Sequence, residues 1–222
     1  MYTVKEIFIT LQGEGYWSGS KALFVRFSGC NIWSGRPETR EKDSAKGLCA
    51  KWCDTDFVGT NGINGGKYTV EQLVAKCNEV WTEASPKELI CSRRVVFTGG
   101  EPSLQLGFDL VQEFKCNGWF THVETNGYKV LPSNLDWICL SPKPPLMPIK
   151  QRYDEVKVPY NGTDETANPL EYAEFANHKF IQPLDLKDDA VNLISNKACI
   201  EFIMQNPEWR VTLQTHKYLN LP

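Results

Sequence analysis

Three cysteines lie close together in the first quarter of the chain, at Cys30, Cys49 and Cys53. Their thiolates are soft ligands of the kind that bind zinc or iron–sulfur clusters. A closed zinc site needs four ligands, so a histidine would have to supply the fourth: His122, His178 or His216. The gaps of eighteen and three residues between the cysteines fit no common zinc finger. Spacing alone therefore leaves both a zinc site and a cluster open.

Three thiolates would leave one iron of a four-iron, four-sulfur cluster without a protein ligand. That iron can bind the amino and carboxylate groups of S-adenosylmethionine. Electron transfer to the sulfonium then cleaves it and releases a carbon radical. The other motifs of the chain have to decide between this radical chemistry and zinc.

The remaining cysteines are scattered through apolar sequence, which predicts small core residues: Cys77, Cys91, Cys116, Cys139 and Cys199. Residues 1–10 lack the basic start and apolar core of a signal peptide, and no apolar run is as long as a membrane span. We therefore expect a soluble, cytoplasmic protein without a disulfide framework. A net charge of -3 argues against phosphate-driven binding of nucleic acid and favours a small ligand.

The chain has eight short β-rich runs, at residues 4–10, 22–27, 94–98, 119–124, 137–140, 155–158, 179–182 and 209–214. Three helices are predicted between some of them. Thr69 and Gln72 form a capping box ahead of an apolar stripe. A second helix over residues 106–115 ends at Asn117-Gly118, and Asp188 or Asp189 can cap a third over residues 190–204.

Strands that alternate with helices predict parallel pairing through crossover connections. The expected fold is α/β, either an open sheet or an incomplete barrel with a mostly parallel sheet, and its ligand site lies at the carboxyl ends of the strands. The length predicts a single domain over residues 1–222. The polar, charged segment between the cysteines predicts a cluster-loop insertion at about residues 31–66.

Polar or glycine-bearing sequence follows several predicted strands and could converge on one cleft. One such segment is Thr-Gly-Gly-Glu-Pro at residues 98–102, whose glycines let the backbone approach a ligand. Taken alone, the motif is better explained as an ordinary strand-to-helix turn. Placed after a cysteine cluster, it resembles the loop that binds the amino group of S-adenosylmethionine in radical enzymes.

Eight segments together resemble the 7-carboxy-7-deazaguanine synthase family of radical S-adenosylmethionine enzymes: residues 4–8, 10–15, 26–35, 53–57, 98–102, 124–127, 141–143 and 214–220. The resemblance implies an incomplete, modified (β/α) barrel. It implies a carbon–nitrogen lyase that converts 6-carboxy-5,6,7,8-tetrahydropterin to 7-carboxy-7-deazaguanine and ammonia, by hydrogen abstraction at C6 and ring contraction, on the path to queuosine. The implied cofactors are S-adenosylmethionine, a 4Fe-4S cluster and Mg²⁺. The implied partners are an external electron donor such as a flavodoxin and a second copy in a homodimer.

Carried over to this chain, the resemblance assigns Cys30, Cys49 and Cys53 to the cluster and Thr55 to Mg²⁺. The residues that it places beside S-adenosylmethionine are Trp52, Asp54, Gly100, Glu124, Ser141, Pro142, Lys143 and Gln182. Those that it assigns to the pterin are Leu11, Gln12, Gly13, Arg26, Thr98, His216 and Pro222. These roles suit the chemistry, because a guanidinium pairs with a carboxylate and a hydroxyl binds a hard cation.

Alternatives remain for single residues and for the function. Taken singly, Arg26 is explained by a surface ion pair, Glu124 by a solvated strand end and His216 by a core histidine. The rival functions are a non-enzymatic zinc or cluster module and a radical enzyme that activates a protein partner. The final cysteine pair departs from the usual spacing, because three residues instead of two separate Cys49 from Cys53. We expect a bulge or turn to absorb the extra residue.

Overall fold

The computed structural model describes residues 1–84, 93–163 and 166–221. The strands of the described chain are β1 Tyr2–Leu11, β2 Lys21–Phe27, β3 Gly66–Tyr68, β4 Arg94–Gly99, β5 Phe120–Thr125, β6 Trp137–Leu140, β7 Glu155–Tyr160, β8 His178–Pro183 and β9 Trp209–Val211. The α-helices are α1 Arg40–Asp43, α2 Val70–Ala84, α3 Phe108–Cys116, α4 Asp189–Gln205 and α5 Thr215–Tyr218. Short 3-10 helices span Pro37–Thr39, Leu48–Lys51, Pro102–Leu104 and Pro169–Tyr172.

All nine strands belong to one sheet, in the order β3-β1-β2-β4-β5-β6-β7-β8-β9. β1 pairs antiparallel with both β2 and β3. From β2 to β9 every neighbouring pair is parallel. β3 and β9 lie at the two edges, so the sheet is not closed. The structure thus confirms an α/β fold with a mostly parallel, incomplete barrel.

The sheet curls until the loop after β1 meets the chain that follows β9 at the far edge. Gly15 N donates a hydrogen bond of 2.7 Å to Thr212 Oγ1. Thr215 N donates to the carbonyl of Gly13 at 3.0 Å. Because the carboxyl ends of parallel strands share one rim, this contact makes the start and the end of the chain border the same cavity.

The predicted helix caps are present. Thr69 and Gln72 form the reciprocal box at α2: Gln72 N donates to Thr69 Oγ1 at 3.3 Å and Thr69 N to Gln72 Oε1 at 3.0 Å. Asp188 caps α4 by accepting from Ala190 N at 3.0 Å. Gly118 follows α3 with a φ of 78°, the left-handed conformation that stops a helix. No helix in the described ranges is long and apolar enough to cross a bilayer.

Some predicted boundaries were wrong. α3 begins at Phe108 instead of residue 106, because Leu106 N donates to the Pro102 carbonyl at 2.9 Å in the preceding 3-10 turn. The last strand ends at Val211, and Thr212 uses its side chain for the contact with Gly15. The insertion is not a plain loop, since it contains α1. The sequence analysis predicted neither this helix nor β3 and α5.

The predicted core cysteines fall into two groups. Cys77, Cys139 and Cys199 are buried, as expected. Cys116 is exposed, so its prediction was wrong: it is the last residue of α3, whose buried face carries Leu110, Val111 and Phe114. Cys91 lies outside the described residues.

The ring of Phe114 joins α3 to the sheet and sets a first prediction. It is fully buried, with its centroid 5.1 Å from Phe97 and 5.9 Å from Trp119. Phe114→Ala should lower the free energy of unfolding by about 3–5 kcal/mol because it opens a cavity between helix and sheet. Phe108→Ala, on the exposed side of the same helix, should cost less than about 1 kcal/mol. Urea unfolding of both variants checks this, and equal losses would contradict it.

Candidate functional site

A cavity of about 490 Å³ opens at the carboxyl ends of the strands. Of the predicted residues that the structure describes, all but Pro142 line it: Leu11, Gln12, Gly13, Arg26, Cys30, Cys49, Trp52, Cys53, Asp54, Thr55, Thr98, Gly100, Glu124, Ser141, Lys143, Gln182 and His216. Pro142 is buried between two lining residues, and Pro222 lies outside the described residues. Segments from one end of the chain to the other thus meet at one place.

The three clustered cysteines line one side of this cavity as free thiols. Burial raises the pKa of the Cys49 thiol to about 11, and the neighbouring Cys53 and Cys30 add to the rise, so the three sulfurs lie near one another. Burial raises the pKa of Cys30 too, and the hydrogen bond of 3.4 Å that Ile32 N donates to Cys30 Sγ opposes this rise. Apolar side chains, among them Trp33, pack around the group.

The three sulfurs do not all lie within 4.8 Å of one another. Zn–S bonds of about 2.3 Å in a tetrahedron would hold two sulfurs roughly 3.8 Å apart. Across residues 1–84, 93–163 and 166–221, the one trio of potential ligand atoms within 4.8 Å of each other belongs to His122, Glu124 and Glu155. The cysteines therefore suit a multi-iron cluster better than one zinc ion. At the other trio the ammonium of Lys157, 3.1 Å from Glu124 Oε2, already supplies a cation.

A 3-10 helix absorbs the extra residue of the last cysteine pair. Leu48–Lys51 forms this turn, and Cys53 N donates to the Cys49 carbonyl at 2.8 Å. Arg40 of α1 anchors it: its guanidinium donates to the carbonyls of Ala50 at 2.6 Å and Cys53 at 3.1 Å. The same guanidinium stacks on Trp33, 4.4 Å from the ring centroid. The insertion thereby fixes the cysteine segment, as a turn and not as a bulge.

The glycine loop after β4 lies directly on the turn that carries the first cysteine. Glu101 N donates to the Gly29 carbonyl at 2.9 Å, and a Cβ at Gly100 would overlap that carbonyl oxygen. The buried Glu101 carboxylate accepts from Thr125 Oγ1 at 2.6 Å and Asn126 N at 2.7 Å. Burial raises the pKa of Glu101, and these donors oppose the rise. Glu101 thus joins the ends of β4 and β5.

Arg26 and Thr98 lie side by side, because they are partners in the parallel register of β2 and β4. Arg26 Nε donates to Glu6 Oε1 at 2.7 Å. Both side chains of this pair are largely buried, at 20% and 25% exposure, so it is not the surface ion pair of the alternative explanation. Among the residues that the structure describes, none hydrogen-bonds the terminal nitrogens of this guanidinium, so they can bind an anion in the cavity.

The C-terminal helix α5 forms the opposite wall. His216 packs against Gly13 so closely that a Cβ there would overlap the imidazole, and burial lowers the pKa of His216. Next to it, Lys217 Nζ binds Asp54 Oδ2 at 3.0 Å and Asp185 Oδ2 at 2.7 Å. This ion-pair network ties α5 to the segment that follows the last cysteine. His216 is therefore a wall residue and not a core histidine.

Buried charges form part of the cavity lining. Lys157 of β7 forms ion pairs with Glu14, which follows β1, and with Glu124 of β5. Burial opposes ionisation of both carboxyls, but Lys157 lowers the pKa of Glu14 and helps to lower that of Glu124 to about 2. Glu124 is thus a buried ion-pair partner and not a solvated strand end.

Comparisons with known proteins agree over the whole chain. No protein-family model matches it. A 7-carboxy-7-deazaguanine synthase of Caulobacter vibrioides is 44% identical over 223 residues, which cover 100% of this chain and 99% of the relative. One of Bordetella pertussis is 41% identical over 226 residues, with the same shares covered. The chain belongs to the 7-carboxy-7-deazaguanine synthase family.

The similarity extends from the sequence to the fold. QueE from Escherichia coli matches with a TM-score of 0.66 at 25% identity, covering 97% of this chain and 94% of that one. These findings confirm the predicted family, the prediction that the chain is an enzyme, and the fold class of the radical S-adenosylmethionine type.

The sequence analysis did not predict three charged residues that line the cavity and hold its walls together, namely Glu14, Glu101 and Lys157. Glu14 and Glu101 both belong to glycine-bearing motifs at strand ends, so the motifs themselves carried a signal. Lys157 carried a weaker one, as a lysine between the two valines of β7. Because a charged side chain buried in a strand needs a partner of opposite charge, the position of Lys157 could have indicated that it pairs with a glutamate.

The contacts of Arg40 set a second prediction. Arg40→Gln removes the guanidinium that fixes the carbonyls of Ala50 and Cys53, so the segment should open more often. In the reduced, metal-free protein, alkylation of Cys49 by iodoacetamide should become about tenfold faster. Arg36→Gln, an exposed residue of the same insertion, is the matched control and should leave the rate unchanged. Mass spectrometry of the labelled peptides gives both rates, and equal rates in the variants would refute the anchoring role.

Proposed function

We propose that this chain converts 6-carboxy-5,6,7,8-tetrahydropterin to 7-carboxy-7-deazaguanine with release of ammonia, the reaction associated with its family. The observation that carries this proposal is that three free thiols and the guanidinium of Arg26 line one cavity. Thiols alone would suit many radical enzymes. A guanidinium in the same cavity favours a small substrate that bears a carboxylate.

Cys30, Cys49 and Cys53 fit a 4Fe-4S cluster by their donor type and by their number, since three thiolates leave one iron of the cluster for another ligand. When bound, the cluster supplies the electron that cleaves S-adenosylmethionine and starts radical chemistry. The chain contributes a dry environment: Ile32, Trp33 and the buried Cys49 keep water away from the sulfurs.

The second cofactor, S-adenosylmethionine, is assigned to one side of the cavity. Lys143 Nζ donates to Ser141 Oγ at 2.7 Å and lies 5.4 Å from the Trp52 ring centroid, so these three residues form one polar and aromatic wall. Gly100 lines the cavity with its backbone alone, and a side chain at this position would overlap the carbonyl oxygen of Gly29. The full set proposed to bind this cofactor is Trp52, Asp54, Gly100, Glu124, Ser141, Pro142, Lys143 and Gln182.

The pterin is assigned to the other side. Arg26 would bind its carboxylate, and Thr55 would offer a hydroxyl to Mg²⁺, which prefers oxygen ligands. The remaining residues proposed to contact the pterin are Leu11, Gln12, Gly13, Thr98, His216 and Pro222. His216 and Arg26 belong to different ends of the chain, so substrate binding would bridge α5 and β2.

The proposal extends to partners and organisation. We propose that residues 1–222 form a single domain with its cluster-loop insertion at about residues 31–66, and that the enzyme is cytoplasmic. An external one-electron donor such as a flavodoxin would reduce the cluster, and the enzyme would act as a homodimer.

A third prediction tests the cluster and the reaction together. Anaerobically reconstituted protein should be brown and form 7-carboxy-7-deazaguanine from the tetrahydropterin, S-adenosylmethionine and Mg²⁺. Cys49→Ala should lose both iron and product, because one ligand is missing. Cys77→Ala, a buried cysteine of α2 outside the cavity, is the control and should keep both. Iron analysis, the visible spectrum and mass spectrometry of the product give the readouts.

Other outcomes of this experiment favour the rival functions. Turnover by Cys49→Ala would show that its thiol is not a required ligand. A colourless protein with stoichiometric zinc would support a zinc module. A brown protein that cleaves S-adenosylmethionine but leaves the pterin unchanged would support an activating enzyme with a different substrate.

A fourth prediction tests Arg26. Arg26→Gln should raise KM for the tetrahydropterin by about 10–100-fold, because a charged hydrogen bond to the carboxylate is worth about 1.5–3 kcal/mol. Glu6→Gln removes the ion-pair partner and keeps the guanidinium, so its KM should change much less. Steady-state kinetics separates the two roles. If both variants unfold more easily and neither changes KM, Arg26 is only a structural residue.

A further inference from the structure

The helix α4 carries apolar side chains on two opposite faces. Its inner face packs on the sheet: Cys199 is buried, and the ring of Phe202 lies 5.7 Å from those of Tyr160 and Trp209. The outer face has large apolar side chains that are each more than half exposed, namely Leu193, Ile194, Ile200 and Met204. Packing on the sheet therefore accounts for only one of the two faces.

The two other long helices of the described chain have more polar outer faces. The exposed side chains of α2 include Glu71, Glu79 and Glu83, and none of its large apolar side chains is exposed. In α3 only Phe108 is both large, apolar and exposed. A helix that only covers a sheet typically has such a polar outer face, whereas a group of exposed apolar side chains marks an interaction surface. The outer face of α4 thus indicates a partner.

The exposed side chains of α4 follow the spacing of a coiled coil. Five exposed positions are separated alternately by three and four residues: Ala190, Leu193, Lys197, Ile200 and Met204. Side chains at this spacing lie in one line along a helix and form the seam through which two helices pack. A second helix therefore fits this face better than an extended strand or a small molecule does.

Two charges in the middle of this seam indicate which helix the partner supplies. Lys197 and Glu201 are exposed at 77% and 62%, and their own ion pair is loose, at 3.9 Å. If two α4 helices pack antiparallel about a two-fold axis, Lys197 of each copy lies beside Glu201 of the other, and Leu193 lies opposite Met204. A parallel pair would instead bring the two Lys197 side chains together, and like charges repel. The seam is thus complementary to itself in the antiparallel arrangement.

We propose that the outer face of α4 is an interaction surface for a second copy of this chain, and that the two α4 helices pack antiparallel across a two-fold axis level with residues 198–199. The proposal rests on the homodimer of the proposed function and gives it an interface. It does not depend on the reaction. The apolar side chains of the seam supply the attraction, and the charges of Lys197 and Glu201 set the direction.

The experiment reverses one charge at a time and measures the dimer dissociation constant of the reconstituted full chain by analytical ultracentrifugation. Lys197→Glu and Glu201→Lys each place like charges across the helix pair, so each should raise the constant at least about tenfold. In an equimolar mixture the acidic helix of one variant meets the basic helix of the other, and a mixed dimer should form as tightly as the unmodified one. Lys150→Glu, an exposed lysine outside α4, is the matched control and should change nothing.

A second pair of variants tests the apolar part of the seam. Ile200→Gln removes an apolar side chain from both copies at once, so the dissociation constant should again rise at least about tenfold. Val130→Gln changes an exposed apolar residue outside α4 and should leave it unchanged. All substituted side chains are exposed in the single chain, so the fold should persist, and circular dichroism of each variant checks this.

Several results would overturn the proposal. A monomer at every concentration would refute both this interface and the homodimer. A dimer that neither charge reversal nor Ile200→Gln weakens would refute the α4 interface alone, and single-charge variants that stay apart when mixed would refute the antiparallel pairing. A monomer that binds phosphatidylglycerol vesicles, and loses this binding in Ile200→Gln, would assign the face to a membrane surface. Turnover of the tetrahydropterin is measured in parallel, and its absence would refute the proposed reaction without affecting this test.

Discussion

The site depends on a close approach between two backbone segments, the turn before Cys30 and the loop after β4. Glu101 N binds the Gly29 carbonyl at 2.9 Å, and a Cβ at Gly100 would meet both that carbonyl and Cys30. β2 and β4 are parallel neighbours, so their carboxyl ends already share one rim. Because Gly100 has no side chain, the two segments can come into contact, and Cys30, the first of the proposed cluster ligands, then lies beside the backbone of this loop.

Long elements could be predicted from the sequence because their signals are local. The capping box of Thr69 and Gln72 is formed within one turn of α2, and it appears in the structure as expected. β3, α1 and α5 could not be predicted, since elements of three or four residues are too short to show a period. Tertiary contacts hold them instead, as when β3 pairs Tyr68 with Tyr2 of β1.

Motifs at strand ends predicted that several segments share one cleft, and the resemblance to the family assigned residues as distant as Gln12 and His216 to it. Lys157 and Glu14 were missed for a physical reason. A lone charge in a sequence is most simply a solvated one, and only the curled sheet shows that β7 and the loop after β1 meet. Lys157 and Glu14 are buried because they form an ion pair with each other, and neither the sequence of β7 nor that of the loop after β1 shows this pairing by itself.

The buried ion pairs of Lys157 are poorly explained as a device for stability. Removing an ammonium and two carboxylates from water is costly, and well-packed apolar side chains of similar volume would often serve the fold as well or better. An apolar floor, however, could not orient Gln12, Gln182 and Gln214, whose amides can otherwise turn either way. The charged groups of Glu14, Glu124 and Lys157 line the cavity, where strands from both halves of the sheet meet. The ion pairs thereby give the cavity a polar lining in which the amide groups of these glutamines donate to fixed carboxylates.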